Sequence, residues 1–380
     1  KLEITQSTKE LKVVANSNSW EYDSEYHADG GYTVTYGEES YTVAAGESAT
    51  LSTGDKVTAT ITKEVKNVAD TAEGNNEIVT LVIENEDQYA NVETENGTLT
   101  ITQKPVTITA DSAQKQYDGT ALTKKSYTNS ALAADDEIGS VTVTGSIIEV
   151  STVANVASDA IIMDGEEDVT ANYNITYVNG KLEITQSTKE LKVVANSNTW
   201  EYDSEYHADG GYTVTYGEGE NAETYTVAAG ESATLSTGDT VTATITKQVK
   251  NVADTTEGNN EIVTLVIENE DQYANVVTKA GTLTITQKPV TITADSAQKQ
   301  YDGTALTKDS YTNSTLAEGD TIDSVTITGS QTAVGVSFNT ASAAIILDGE
   351  ENVTANYKIS YVSGLLEVTT SATVLKVVAN

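Results

Sequence analysis

The feature that most constrains this chain is that it repeats itself. The stretch KLEITQSTKELKVVANSN at 1–18 returns unchanged at 181–198, so a period of about 180 residues is present twice. QKQYDGTALTK likewise occurs letter for letter at 114–124 and at 298–308. A shorter period lies inside the long one. Setting ANSNSWEYDSEYHADGGY (15–32) on ADSAQKQYDGTALTKKSY (110–127) without a gap places Ala15 on Ala110, Ser17 on Ser112, Tyr22-Asp23 on Tyr117-Asp118 and Tyr32 on Tyr127. The chain therefore reads as four variants of one unit in A-B-A-B order. The units close on related phrases: NGTLTIT (96–102), NGKLEIT (179–185), AGTLTIT (280–286) and SGLLEVT (363–369). This grammar predicts units at 9–103 (A1), 104–186 (B1), 187–287 (A2) and 288–370 (B2). Residues 1–8 then read as the last strand and linker of a preceding unit, and 371–380 as the first strand of a following one, so the chain is expected to be a window on a longer array.

A unit of this length must build its own small core. LKVVAN, VTITAD, KVTATIT, SVTVTG, IVTLVIE and YNITYV alternate with period two or run apolar for a few residues, with Gly, Asn and Asp between them. Helical periodicity is missing, apart from room for one short turn at 131–135 or 316–320. The prediction is an all-β tandem array of four small immunoglobulin-like β-sandwiches; β-grasp-like units are the alternative. NYNITYVNGKLEIT (172–185) predicts a hairpin turning at Asn179-Gly180. YTVTYGEESYTVA (32–44) predicts another, whose twin carries the longer tip GEGENAET (217–224). Only Gln103, Lys104 and Pro105 separate LTIT from VTIT, which predicts stiff junctions and an extended rod.

Charge removes several function classes. The chain has no cysteine, so thiol catalysis and disulfides are excluded. Its 57 acidic residues against 21 basic ones, all lysine, give a net charge of −36. That surface excludes a phosphate-tracking nucleic-acid binder and argues against adhesion to anionic lipid. No apolar run approaches membrane-spanning length.

Lys-x-Tyr-Asp-Gly-Thr near the start of a unit, with D-G-x-x-[DN]-V-T-A-N-Y-x-I near its end, resembles the YDG/MBG-type repeat domains of bacterial cell-surface proteins. The matching stretches are 115–120 with 164–175, and 299–304 with 348–359. The A units depart from the pattern, with Ser24 and Ser204 in place of the glycine. The resemblance implies a stalk or adhesin segment on the bacterial surface, outside the cell and without catalytic activity. The residues themselves read as a turn: Asp118-Gly119 and Asp302-Gly303 tighten the chain, the Asp accepts backbone N–H groups, Gly takes positive φ, and Tyr117 and Tyr301 bury their rings. Tyr22-Asp23 and Tyr202-Asp203 are the A-unit counterparts.

Histidine occurs only as His27 and His207. Continuous strand alternation through WEYDSEYHADGG (20–31) predicts Trp20, Tyr22, Ser24, Tyr26 and Ala28 on a core face. Glu21, Asp23, Glu25, His27 and Asp29 then form an acidic ladder, repeated at Asp203, Glu205, His207 and Asp209. Such a set offers hard oxygen ligands to a divalent cation, Ca²⁺ ahead of Zn²⁺; the plainer reading is a solvated outer face. Lys12 and Lys192 stand where an isopeptide amine would be needed, but Thr107 and Thr291 face them in the B units. Without long loops to shape a cleft, no enzyme is expected. The expected partners are neighbouring repeats, with head-to-tail self-association through 375–380 as an alternative. The two Trp, the two His and the variable tip sit only in A units, which supports a competing reading in which those units bind host glycan or protein.

Overall fold

The computed structural model describes residues 3–372 and Lys376. The chain folds as two compact units, Lys1–Lys115 with Ala121–Thr185, and Gln116–Thr120 with Gln186–Asn380. Each contains one A and one B sandwich.

In the first unit the A sandwich opens with β1 (Ser7–Ala15), β2 (Asn18–Glu21), β3 (His27–Ala28), β4 (Tyr32–Tyr36) and β5 (Glu39–Val43). It continues with β6 (Ala49–Thr50), β7 (Lys56–Thr60), β8 (Glu64–Val65), β9 (Thr80–Ile83), β10 (Tyr89–Glu95) and β11 (Leu99–Thr102). One sheet runs β10-β1-β4-β5 and the facing sheet β6-β7-β9. The alternation that marks LKVVA as a strand sends Leu11, Val13 and Ala15 inward. They meet Val34, Val57, Ala59 and Ile83 in one core. Each fully buried Leu or Val contributes about 1.5–3 kcal/mol of transfer free energy. The first strand lies antiparallel to β4 and parallel to β10, and β2 then pairs parallel with β11 in a separate ladder. The start and end of the A sandwich are thus clamped together twice.

A single residue, Gln103, separates β11 from β12 (Lys104–Ala110), which opens the B sandwich. There follow β13 (Ala113–Gln116), β14 (Tyr127–Asn129), β15 (Asp136–Thr144), β16 (Ser151–Asp164), β17 (Glu167–Asp168), β18 (Tyr173–Val178) and β19 (Gly180–Thr185). The sheet β14-β12-β18 faces β13-β19-β16-β15 over a small core of Ile108, Ala110, Val143, Ala157 and Ala160. The second unit repeats both sandwiches strand for strand. The all-β immunoglobulin-like sandwich expectation holds, and the β-grasp alternative falls. Among the described residues the helices are three-residue 3-10 turns such as Val68–Asp70 and Thr170–Asn172. Positions 131–135 and 316–320 hold plain turns instead.

Three local expectations are corrected. The Asn179-Gly180 hairpin does not form: β18 pairs with β12 in one sheet while β19 pairs with β16 in the other. Gly180 is needed because a Cβ there would collide with the carbonyl oxygens of Ala110 and Asp111. Gly97, Gly281 and Gly364 make the same close crossing, which is why all four closing phrases carry glycine. Next, the 20–31 stretch is not one strand, since β2 ends at Glu21 and Ser24 takes φ 70. That left-handed residue breaks the parity, so Tyr26 is 70% exposed rather than core. Finally, Glu3–Thr5 carry no strand and Ile4 is exposed, while Ser7 and Thr8, expected in a linker, already belong to β1. Most of 375–380 lies outside the described residues.

The tip hairpin forms as expected, with Tyr36 opposite Glu39 and Gly37 at φ 63. In the twin, Tyr216 pairs with Glu223 in the same register, and the extra residues form a 3-10 turn at Gly219–Asn221.

Candidate functional site

The A-unit Tyr-Asp motifs lie where the A and B sandwiches of each unit meet. In the first unit Tyr22 is fully buried. Its ring packs edge-on against Tyr173, centroids 5.5 Å apart at 76°. Tyr22, Val65, Leu99 and Ile101 of A1 share one core with Val106, Ala133, Ile162, Val169 and Tyr173 of B1. Tyr173 holds that core together through its oxygen. It donates to Asp136 Oδ2 at 2.6 Å and accepts from the Ala133 N–H at 2.9 Å. Burial, then the Asp136 acceptor, pushes the Tyr173 phenol well above its ordinary range.

Polar contacts ring this core. Lys66 Nζ meets Asp164 Oδ2 at 2.9 Å, and the lysine holds that carboxyl below the usual carboxylate range. Ser24 Oγ donates to the same oxygen at 3.3 Å. Asn172 accepts from the Val68 N–H at 2.9 Å and donates to Asn67 Oδ1 at 2.7 Å. Gln103, the linker residue, donates to the Ala171 and Tyr173 carbonyls at 3.0 and 3.1 Å. The second unit reproduces the joint. Tyr202 packs on Tyr357 at 5.4 Å and 78°, Tyr357 donates to Asp320 at 2.6 Å, and Lys250 meets Asp348 at 2.8 Å.

The serine that departs from the motif keeps the motif's turn. Ser24 and Ser204 adopt φ 70 and 69, close to Gly119 at 77 and Gly303 at 86. Their hydroxyls reach acids of the adjoining B sandwich, Asp164 for Ser24 and Asp320 with Asp348 for Ser204. The contact offsets the cost of left-handed backbone for a residue with a Cβ, about 1–2 kcal/mol. In the glycine version, Asp118 Oδ1 accepts the Thr120 N–H at 2.9 Å, and Asp302 Oδ1 accepts that of Thr304 at 2.9 Å. Lys299, then the Thr304 N–H, holds the Asp302 carboxyl far below its ordinary range.

Tyr117 lies in the second unit and is buried there, its Oη donating to Asp239 Oδ2 at 2.9 Å. Tyr301 departs from the expected burial and is 47% exposed.

The acidic ladder does not assemble. Asp23 Oδ1 lies 2.9 Å from His27 Nε2 and accepts the Glu25 N–H at 3.0 Å. Burial alone would raise this carboxyl, but those two partners hold it low. Asp29 turns away, accepting from Asn16 Nδ2 at 3.1 Å and the Gly31 N–H at 2.9 Å, while Glu25 is exposed. Asp203, Glu205, His207 and Asp209 repeat this division, with Asp203 on His207 at 2.9 Å and Asp209 on Asn196 at 3.2 Å. Among the described residues no three His, Asp or Glu side chains gather closely enough to hold an ion. His27 instead stacks on Trp20 at 4.9 Å and 14°. Lys12 pairs with Glu95 at 2.6 Å on the surface, away from any buried isopeptide geometry.

Sequence reasoning missed the receiving half of the joint, Asp136 with Tyr173 and Asp320 with Tyr357. The available signal was the VTANY phrase, which contains Asn172 and Tyr173; the acids were hidden among the chain's 57 acidic residues.

No family model matches the chain, and no curated protein matches it. Among solved structures it is similar to the N-terminal four Ig domains of Dscam1 isoform 7.44, at 9% identity over 96% of this chain and 100% of that one, TM-score 0.13. It is similar to the Bacillus anthracis TIE protein at 5% identity over 73% of this chain and 51% of that one, TM-score 0.20. Drosophila N-cadherin EC1-4 matches at 7% identity over 94% and 100%, TM-score 0.16. Likeness at these scores carries nothing about what this chain does.

Proposed function

We propose that this chain is a non-catalytic spacing segment of an exported bacterial surface protein, of the YDG/MBG-like adhesin type. One observation carries the reading. Recognisable residues, the Tyr of both A-unit Tyr-Asp motifs, are spent on holding one sandwich to the next: Tyr22 on Tyr173 and Tyr202 on Tyr357. A ring locked in such a joint is not offered to a ligand or substrate. The one-residue connection at Gln103, itself bonded across the joint, restricts hinging. The net charge of −36 keeps long acidic chains soluble and apart, which suits an extracellular stalk.

Small-angle scattering tests the spacing role. A compact 380-residue globule has a radius of gyration of about 21 Å. The spacer reading predicts a radius of gyration well above that value. A value near 21 Å would remove the spacer reading.

A second reading is favoured by one feature confined to the A units. Tyr26 and Tyr206 are 70% and 69% exposed, with Lys66 Nζ 5.8 Å and Lys250 Nζ 5.7 Å from their ring centroids, exposed aromatics of the kind that dock sugars or protein. Glycan binding by the full chain that is lost in Tyr26→Ala with Tyr206→Ala supports it; binding unaffected by both changes removes it.

A further inference from the structure

Each A sandwich leaves one strand edge open. β9 ends the sheet β6-β7-β9, and Thr264–Ile267 ends its twin. The Glu84 N–H donates to the Lys56 carbonyl at 2.8 Å, so the backbone groups of Val82 and Glu84 face β7. Alternation along an antiparallel ladder then turns those of Leu81 and Ile83 the other way, where no strand follows. Among the described residues they have no hydrogen-bond partner. In the twin the Glu268 N–H donates to the Thr240 carbonyl at 2.9 Å, and Leu265 and Ile267 face the open edge.

Exposed edges are blunted by charge, by proline or by shortness. The other edges of the two facing sheets follow that rule. β5 carries Glu39 and its twin Glu223, β10 carries Glu93 and Glu95 and its twin Lys279, and β6 and its twin are two residues long. The sequence TLVI at both β9 positions has none of these devices. Its outer face is apolar too: Val79 and Val82 are 59% and 63% exposed, Val263 and Val266 62% and 63%. A2 has a B unit before and after it in the chain, so this exposure belongs to the A unit itself and not to its place in the array.

Acids bracket the edge. Glu77 precedes it and Glu84, Glu86 and Asp87 follow, all exposed, and A2 repeats the pattern from Glu261 to Asp271. Lys56 and Lys63 offset part of this charge in A1, and Lys247 alone in A2. Pairing two copies edge to edge about Val82 would set Glu77 opposite Asp87, like against like, in chains of net charge −36. We propose that β9 and its twin each take a fourth strand from another protein, an extended segment with alternating apolar side chains and lysine or arginine at its ends. Leu81 and Ile83 supply the backbone ladder, Val82 an apolar contact, and the bracketing acids select the charge. The chain then presents two such sites. They share no residue with the Tyr26 and Tyr206 surfaces, and they do not rest on the spacer reading.

Calorimetric titration of the full chain with the synthetic peptide KKTVTVTKK reads this directly. The expected result is saturable binding of two peptides per chain, weakened about tenfold or more in 1 M salt, where the Debye length falls to about 3 Å. KKPPPPPKK keeps the charge without the strand, and EETVTVTEE keeps the strand with the opposite charge; neither should bind. Val82→Lys with Val266→Lys puts a like charge on each edge, and Glu77→Lys with Glu261→Lys reverses one flank without touching the strand. All four positions are exposed, so these variants keep the fold. Each pair should weaken binding about tenfold or more, and Val82→Lys alone should leave one site. Absence of KKTVTVTKK binding, equal binding of KKPPPPPKK, or affinity unchanged in both pairs would each overturn the proposal. A rise in mass of the chain without peptide, abolished by Val82→Lys with Val266→Lys, would put a second copy on the edge and overturn it as well. The spacer reading is decided separately, by scattering.

Discussion

Exchanging Tyr173 for Phe removes one oxygen and leaves two groups stranded. The buried Ala133 N–H loses its acceptor, and Asp136 Oδ2 loses its donor. An unsatisfied buried donor costs about 1–3 kcal/mol, and a hydrogen bond to a charged group is worth about 1.5–3 kcal/mol. Asp136 is only partly buried and regains some water, so the sum falls at about 2–4 kcal/mol. Tyr22→Phe, a matched change on the other ring of the pair, behaves differently. The buried Tyr22 hydroxyl has no hydrogen-bond partner among the described residues, so its removal costs under about 1 kcal/mol or stabilises. The chain's two tryptophans make the comparison clean. Trp20 packs against the shared core of the first unit, so in a Trp200→Phe background its fluorescence reports urea unfolding of that unit alone. The account predicts a large fall in the midpoint for Tyr173→Phe and little or none for Tyr22→Phe. Equal losses for the two variants would refute the assignment of the clasp to Tyr173.

Other outcomes follow from the same geometry. The phenols of Tyr173, Tyr273 and Tyr357 are raised above about 10 by burial and then by their aspartate partners. The unfolded chain therefore loses these protons first as pH rises. Their stabilisation is complete below about pH 10 and drains away above it, so urea midpoints should fall between pH 10 and 11 and hold between 8 and 9.5. Gly303→Ala should cost about 1–2 kcal/mol for left-handed backbone alone; Gly119→Ala should cost clearly more, because its Cβ meets the Thr237 backbone. Deleting Gly219–Ala222 restores the short A1 tip and should change stability by less than about 0.5 kcal/mol in calorimetry. Millimolar Ca²⁺ or EDTA should leave melting unmoved, since Asp29 and Asp23 are committed to separate protein partners; a rise with Ca²⁺ would restore the ladder as a site.

The strands were legible where one face is buried. LKVVA and YTVTY alternate because Leu11, Val13, Tyr32 and Val34 must all point into one core. Glycine was harder to read, because one letter serves two needs. At Gly37 it supplies positive φ, and at Gly180 it supplies the absence of a Cβ, which no local pattern distinguishes. Serine misled in the opposite direction: Ser24 looks like a strand residue in an alternating run, yet its contact with Asp164 supports a left-handed turn. The Tyr-Asp turn was visible from its own residues. Its function in the fold was not, because Tyr22 meets Tyr173 of the next sandwich, far along the chain, and sequence spacing carries no trace of so distant a contact.

Native-state hydrogen exchange on the full chain with Tyr22→Ala tests the central claim, that the motif joins sandwiches. Truncating a buried aromatic ring costs about 3–5 kcal/mol, enough to open the joint measurably. The account predicts faster exchange on both sides together: at Tyr22 and Val68 in A1, and at Ala133, Val169 and Asn172 in B1, whose amides are bonded in or beside the shared core. The A1 core around Val13 and Val34 should keep its protection. Faster exchange confined to Asp23–Glu25, with the B1 amides unchanged, would contradict it and return the motif to an ordinary turn.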